Sequence, residues 1–107
     1  MRKADVFINE KLAGHLSETE EGYVFVYVVN YLDRADAIPV SLTLPLREKP
    51  YIQNVLFPFF DGLIPEGWLL EVAEQNWKLS GRDRMGLLLA CCKDCIGAVS
   101  IIETENQ

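Results

Sequence analysis

Apolar and polar positions alternate through the first third of the chain. Val6-Phe7-Ile8, then Asn9-Glu10-Lys11, then Leu12-Ala13-Gly14-His15-Leu16 reads as a strand, a polar turn and a second strand. Glu18 to Gly22 is a polar connection. Tyr23 to Leu32 predicts the strongest strand. Tyr23, Phe25, Tyr27 and Tyr31 form one face, and Val24, Val26 and Val28 the other. With both faces apolar, this strand is expected to be central and covered on both sides. Asp33 to Pro39 predicts a loop, and Val40 to Leu44 a further short strand ended by Pro45, which cannot donate to a ladder.

The period then changes. Ile52, Val55, Leu56, Phe59 and Phe60 recur at helical spacing, with Pro58 expected to kink or shorten the helix and Asp61-Gly62 to break it. Pro65 and Glu66 suit the opening of a second helix, because proline fits a first turn and a carboxylate fits the positive end of the dipole. Trp68, Leu69, Val72, Ala73 and Trp77 give that helix one apolar face. Ser80-Gly81-Arg82-Asp83 resembles a capping box for a third helix through about Cys91, with Met85, Leu88, Leu89 and Cys92 inward. Gly97 to Ile102 returns to a strand. This order predicts one α+β domain over residues 1–107. Its architecture is a small antiparallel sheet of about five strands packed with about three helices.

Half of the 107 residues are hydrophobic, enough for a core without a metal or disulfide staple. The longest apolar run, Tyr23 to Val29, is strand-length and far short of the roughly 18 residues of a membrane span. The charged start Met1-Arg2-Lys3-Ala4-Asp5 lacks the features of a signal peptide, so the expected compartment is the cytoplasm. Ten Lys and Arg against 16 Asp and Glu leave a net charge of −6, which argues against direct nucleic-acid binding. An acidic surface suits a basic protein partner instead.

Little in the sequence carries chemistry. Phosphate-cradling glycine loops, a kinase catalytic loop and a magnesium-binding D-F-G are all missing. His15, the one histidine, falls in a hairpin strand where an edge or surface position is expected. Asp61 and Glu66 stand in a turn and a helix start, where capping or solvation outweighs acid–base work. Cys91, Cys92 and Cys95 hold one C-x-x-C pair at the end of a helical pattern. No second cysteine pair completes a zinc site, so structural cysteines are the reading and no cofactor or metal is expected; a metal or redox module is the rival. Periodicity puts Trp77 in the core, and Trp68 there too, beside Leu69 and Val72.

Several segments resemble the N-terminal domain of HipA-type serine/threonine kinases. Val6-Phe7-Ile8-Asn9 followed by Leu12-Ala13-Gly14-His15-Leu16 is similar to the family's opening hairpin, Phe25 to Leu32 to its F-x-Y-x-x-x-Y-L strand, and Ser41 to Leu46 to its S-x-x-L-P-L segment. Phe60 to Gly67 resembles F-x-N-L-L-P-E-G, and Asp94 to Val99 resembles D-x-x-G-A-V. Asp61-Gly62 and Cys92-Lys93 depart from the pattern, both in turns.

The resemblance implies a non-catalytic, protein-binding domain. In whole HipA kinases it precedes the catalytic body, and a HipB-type helix-turn-helix repressor restrains the kinase. In a tripartite arrangement the domain is a separate antitoxin, HipS, and the kinase, HipT, lacks it. A chain that starts at Met1 and ends after a last strand and polar tail reads as a free-standing, HipS-like subunit. The implied partner is a HipA- or HipT-type kinase toxin, with a HipB-like repressor as a further one. The implied contact residues are Ile64, Pro65, Glu66, Gly67 and Trp68, with Trp68 moved from core to anchor. Rival readings are an N-terminal fragment of a fused kinase and a scaffold joining kinase and repressor without inhibition.

Overall fold

A computed structural model of the chain describes residues 2–64, 75, 83–91 and 99–104. Five strands, β1 (Lys3–Ile8), β2 (Lys11–Thr19), β3 (Gly22–Tyr27), β4 (Tyr51–Gln53) and β5 (Val99–Glu103), form one sheet. Their order is β4-β3-β2-β1-β5, and every pairing is antiparallel. Three short helices are described: α1 (Val29–Leu32), α2 (Pro58–Asp61) and α3 (Arg84–Cys91). The α+β arrangement read from the sequence is the one found.

The β1–β2 hairpin turns at Asn9 and Glu10, whose φ angles of 52° and 69° are those of a tight two-residue turn matched to strand twist. Val6 pairs with Gly14 but Phe7 with Leu12, so Ala13 is an extra residue that bulges β2. Alternation then sends Ala4, Val6, Leu16, Phe25 and Ile101 to one buried face. Phe57, Phe60 and Ile64 from the α2 region, and Met85, Leu87 and Leu88 from α3, close over that face in a single hydrophobic cluster. Phe60 sits at its centre, 5.4 Å from the Phe25 ring and 5.2 Å from Phe59. Gly22, with φ 149°, lets β3 and β4 meet: a β-carbon there would lie 2.1 Å from the Gln53 carbonyl oxygen.

Four expectations are corrected. The third strand ends at Tyr27, and Val29–Leu32 is a helical turn, bonded from the Leu32 and Asp33 amides back to Val28 and Val29. Tyr31 misled the periodicity, because a spacing of four after Tyr27 satisfies a strand and a helix alike. In the helical turn the two rings still stack, nearly parallel at 6.3 Å. Nor do the described residues cover this strand on both sides. Phe25 and Tyr27 are buried, but Val24 and Val26 on the other face are only half-buried. Third, Val40 to Leu44 is not a strand but a β-turn, closed by the Leu44 amide on the Ser41 carbonyl and by the Thr43 amide on the Ser41 hydroxyl.

The fourth correction concerns Ile52 to Phe60, which is not one helix. Tyr51–Gln53 pairs with β3, and α2 begins only at Pro58, which occupies its first turn where a missing N–H costs nothing. Gly62 ends α2 as expected. The third helix begins at Arg84, with Asp83 accepting from the Gly86 amide at 3.1 Å as an N-cap would. Ser80 lies outside the described residues. No helix among the described residues is long and apolar enough to cross a membrane.

Candidate protein-interaction surface

In the chain, the candidate segment Ile64 to Trp68 follows α2. The Leu63 and Ile64 amides bond back to Phe60 and Asp61, continuing the helix as a tightening turn. Ile64 is 2% exposed and belongs to the core cluster, so its side chain anchors the segment and offers no surface to a partner. Pro65, Glu66, Gly67 and Trp68 lie outside the described residues, as do Trp77, Cys92, Cys95 and the side chain of Cys91.

The base of this segment is held by ion pairs. Arg84 Nε donates to Asp61 Oδ1 at 2.6 Å, tying the end of α2 to the start of α3. Asp61 is therefore a structural partner of Arg84, and Glu66 lies outside the described residues. Arg2 reaches further. It grips Glu18 through Nε and Nη2 at 2.8 and 2.9 Å, and Asp83 through Nη1 and Nη2 at 3.0 and 2.7 Å. The Arg2 hydrogen bonds hold both carboxyls below their ordinary ranges, and those bonds, Glu18 first, hold the guanidinium charged.

Two tyrosines fix the long connection from α1 to β4. The Tyr27 hydroxyl donates to the Leu44 carbonyl and accepts from the Val40 amide at 3.0 Å. The Tyr31 hydroxyl bonds both the carbonyl and the amide of Ile38, at 2.8 and 3.0 Å. A loop without a ladder is thus satisfied from the core side, and the turn it carries puts Leu42 into solvent at 94% exposure.

The outer face of the sheet was not foreseen as a site. Its register brings Ile52 beside Val24, Val26 beside His15, His15 beside Asp5 and Asp5 beside Ile102. Ile52 is 75% and Ile102 44% exposed. At the centre, Asp5 Oδ1 accepts from the Thr104 hydroxyl at 3.0 Å and lies 2.9 Å from His15 Nδ1. A carboxylate only accepts, so Nδ1 carries the proton in this pair. Lys3, Asp5, His15, Ser17 and Thr104 line an open depression of about 380 Å³ there. His15 lies on the surface, as expected, but on the middle strand and not at an edge. The signal for this face was present in the alternating valines of β3.

Four similarities place the chain among known proteins. The family model described as HipA N-terminal domain matches residues 4–102. An uncharacterized protein of Haemophilus influenzae is 33% identical over 106 residues, covering 99% of this chain and 96% of that protein. A protein of Sinorhizobium fredii, Y4mE, whose name describes it as a candidate kinase, is 27% identical over 108 residues. The chain spans about a quarter of Y4mE, 26% of its length. Among solved structures, one described as the N-terminal domain of HipA toxin superposes with a TM-score of 0.76 at 32% identity. That match covers 100% of this chain and 96% of the other.

Proposed function

The chain belongs to the HipA N-terminal domain family, and from that premise we propose that it is a non-catalytic, cytoplasmic antitoxin that binds and inhibits a HipA- or HipT-type serine/threonine kinase toxin. The observation that carries this reading is the extent of the match. Residues 4–102 align with a domain that in HipA-type kinases stands ahead of the catalytic body, and kinase motifs are missing from the 107 residues. Relatives both of this length and about four times longer support a domain that works against a kinase body whether or not it is fused to one.

The mechanism is steric. The domain docks on the kinase, and the segment Pro65-Glu66-Gly67-Trp68, launched from a base fixed by Ile64 and the Asp61–Arg84 pair, covers the cleft. Trp68 is the anchor, since a large aromatic with a single donor fills a pocket at low conformational cost. A HipB-like repressor is a further partner of the assembly.

The test mixes the purified chain with the HipT-type kinase of the same genome and follows complex formation and phosphorylation together. The reading expects a stable complex with lost activity. Trp68→Ala should weaken it by on the order of a hundredfold while the melting temperature holds. Binding with full activity would indicate a scaffold, and equal inhibition by Trp68→Ala would remove the anchor role. The alignment with one quarter of Y4mE favours a second reading, the N-terminal part of a longer kinase. An in-frame kinase body in the gene would establish it.

A further inference from the structure

The outer face of the sheet has the pattern of a covered surface, yet among the described residues its valines are only half-buried and its flanking isoleucines are exposed. A strand apolar on both faces normally lies between two layers. In β3 the aromatic face is covered, and Val24 and Val26 face outward. The described helices give their buried side chains to the core on the other face. Ile52 and Ile102 extend the apolar surface from β3 toward both edges, with the His15–Asp5–Thr104 group between them. Taken as a whole, a non-obligate interface is about as apolar as the rest of a protein surface, and a face that mixes exposed isoleucines with hydrogen-bonded polar groups falls within that composition.

We infer that this face is a docking surface for an apolar patch on the body of a HipA-type kinase, distinct from the Pro65–Trp68 segment. The inference rests on the kinase-binding reading above. The same domain makes up nearly all of the Haemophilus protein and about a quarter of Y4mE, so in the longer relative three-quarters of the chain is available to cover it. The chain carries a net charge of −6, yet this face sets Lys3 against Asp5 and is otherwise neutral or apolar. An apolar patch therefore fits it better than a basic one. The open depression lined by Lys3, Asp5, His15, Ser17 and Thr104 takes a polar side chain of the partner.

The experiment uses the full chain and the HipT-type kinase of the same genome, with Ile52→Asp as the variant. Ile52 is largely exposed, so the melting temperature should not change. Affinity for the kinase should fall by on the order of tenfold or more. Affinity of the unaltered chain should vary less than about threefold between low and high salt, because apolar contact is not screened. Hydroxyl-radical footprinting of the unaltered complex reads the same face without any substitution, and Val24, Val26 and Ile52 should be protected. If the chain binds but Ile52→Asp binds equally and these side chains react as in the free protein, this docking face is refuted while the kinase-binding reading stands. If the unaltered chain does not bind at all, the kinase-binding reading fails, and this inference falls with it.

Discussion

Tyr27 brings a polar group into the core and finds two backbone partners for it, Val40 and Leu44. Burial pushes its phenol up to about 12 from an ordinary 10.0. The folded state therefore favours the neutral phenol. Its contribution is complete below the unfolded value and is lost as pH rises from there through the folded one. Absorbance of tyrosinate should show one tyrosine ionising late and together with loss of structure. Tyr27→Phe leaves an amide and a carbonyl without their partner and should cost about 1–3 kcal/mol, measured by urea denaturation. At this scale the sequence was readable in part. The aromatic row of β3 announced a buried face, and Phe25 and Tyr27 take it. That tyrosines were chosen over phenylalanines carried a second message, about a loop to be held. No period encodes that, because the hydroxyl partners lie 13 and 17 residues away.

Between elements, Arg2 joins the β2 end at Glu18 to the α3 start at Asp83 with four hydrogen bonds. All three side chains remain between a quarter and a third exposed, so solvent screens the network. Arg2→Ala should lower stability by on the order of 1 kcal/mol at neutral pH. Both carboxyls titrate below their ordinary values of 4.5 and 3.8, so the difference between parent and variant should be complete above those values. It should close as pH falls through the depressed ones. Urea titrations of both proteins across the acid range check this. Element boundaries were the least legible part of the sequence. Ile52 and Val55 share a helical spacing with Phe59 and Phe60 but are exposed, and Tyr51–Gln53 is a strand because its backbone completes β3. Ladder pairing depends on a distant partner, and side-chain spacing does not report it. Pro58 was read correctly as an interruption but starts the helix it was expected to damage.

Across the whole molecule, the strand-then-helix-then-strand order was enough to give the fold class. Each element buries one face, and a single sheet with helices on one side is the compact solution. The candidate contact segment was legible only as a motif. Of its five residues the structure describes Ile64, and that one is buried. The valine face of β3 was legible too, but it was assigned to an inner layer because a lone sequence does not distinguish cover within the chain from cover by another. The sheet depends on its last strand. β5 pairs with β1 over five residue pairs, Ala4↔Glu103 to Ile8↔Val99, and inserts the fully buried Ile101 beside Val6. A chain truncated before Val99 should show no cooperative thermal transition by circular dichroism, whereas removal of residues 105–107 alone should leave the transition in place.

That pairing also sets a clock for biosynthesis. β1 leaves the ribosome well before β5, one of its two neighbours, which lies about 95 residues further along the chain. Until residue 103 has cleared the exit tunnel, the backbone edge of Ala4 to Ile8 stays open to any other nascent strand. In a cell making many copies at once, the interval before β5 arrives is the time in which a chaperone has most to do.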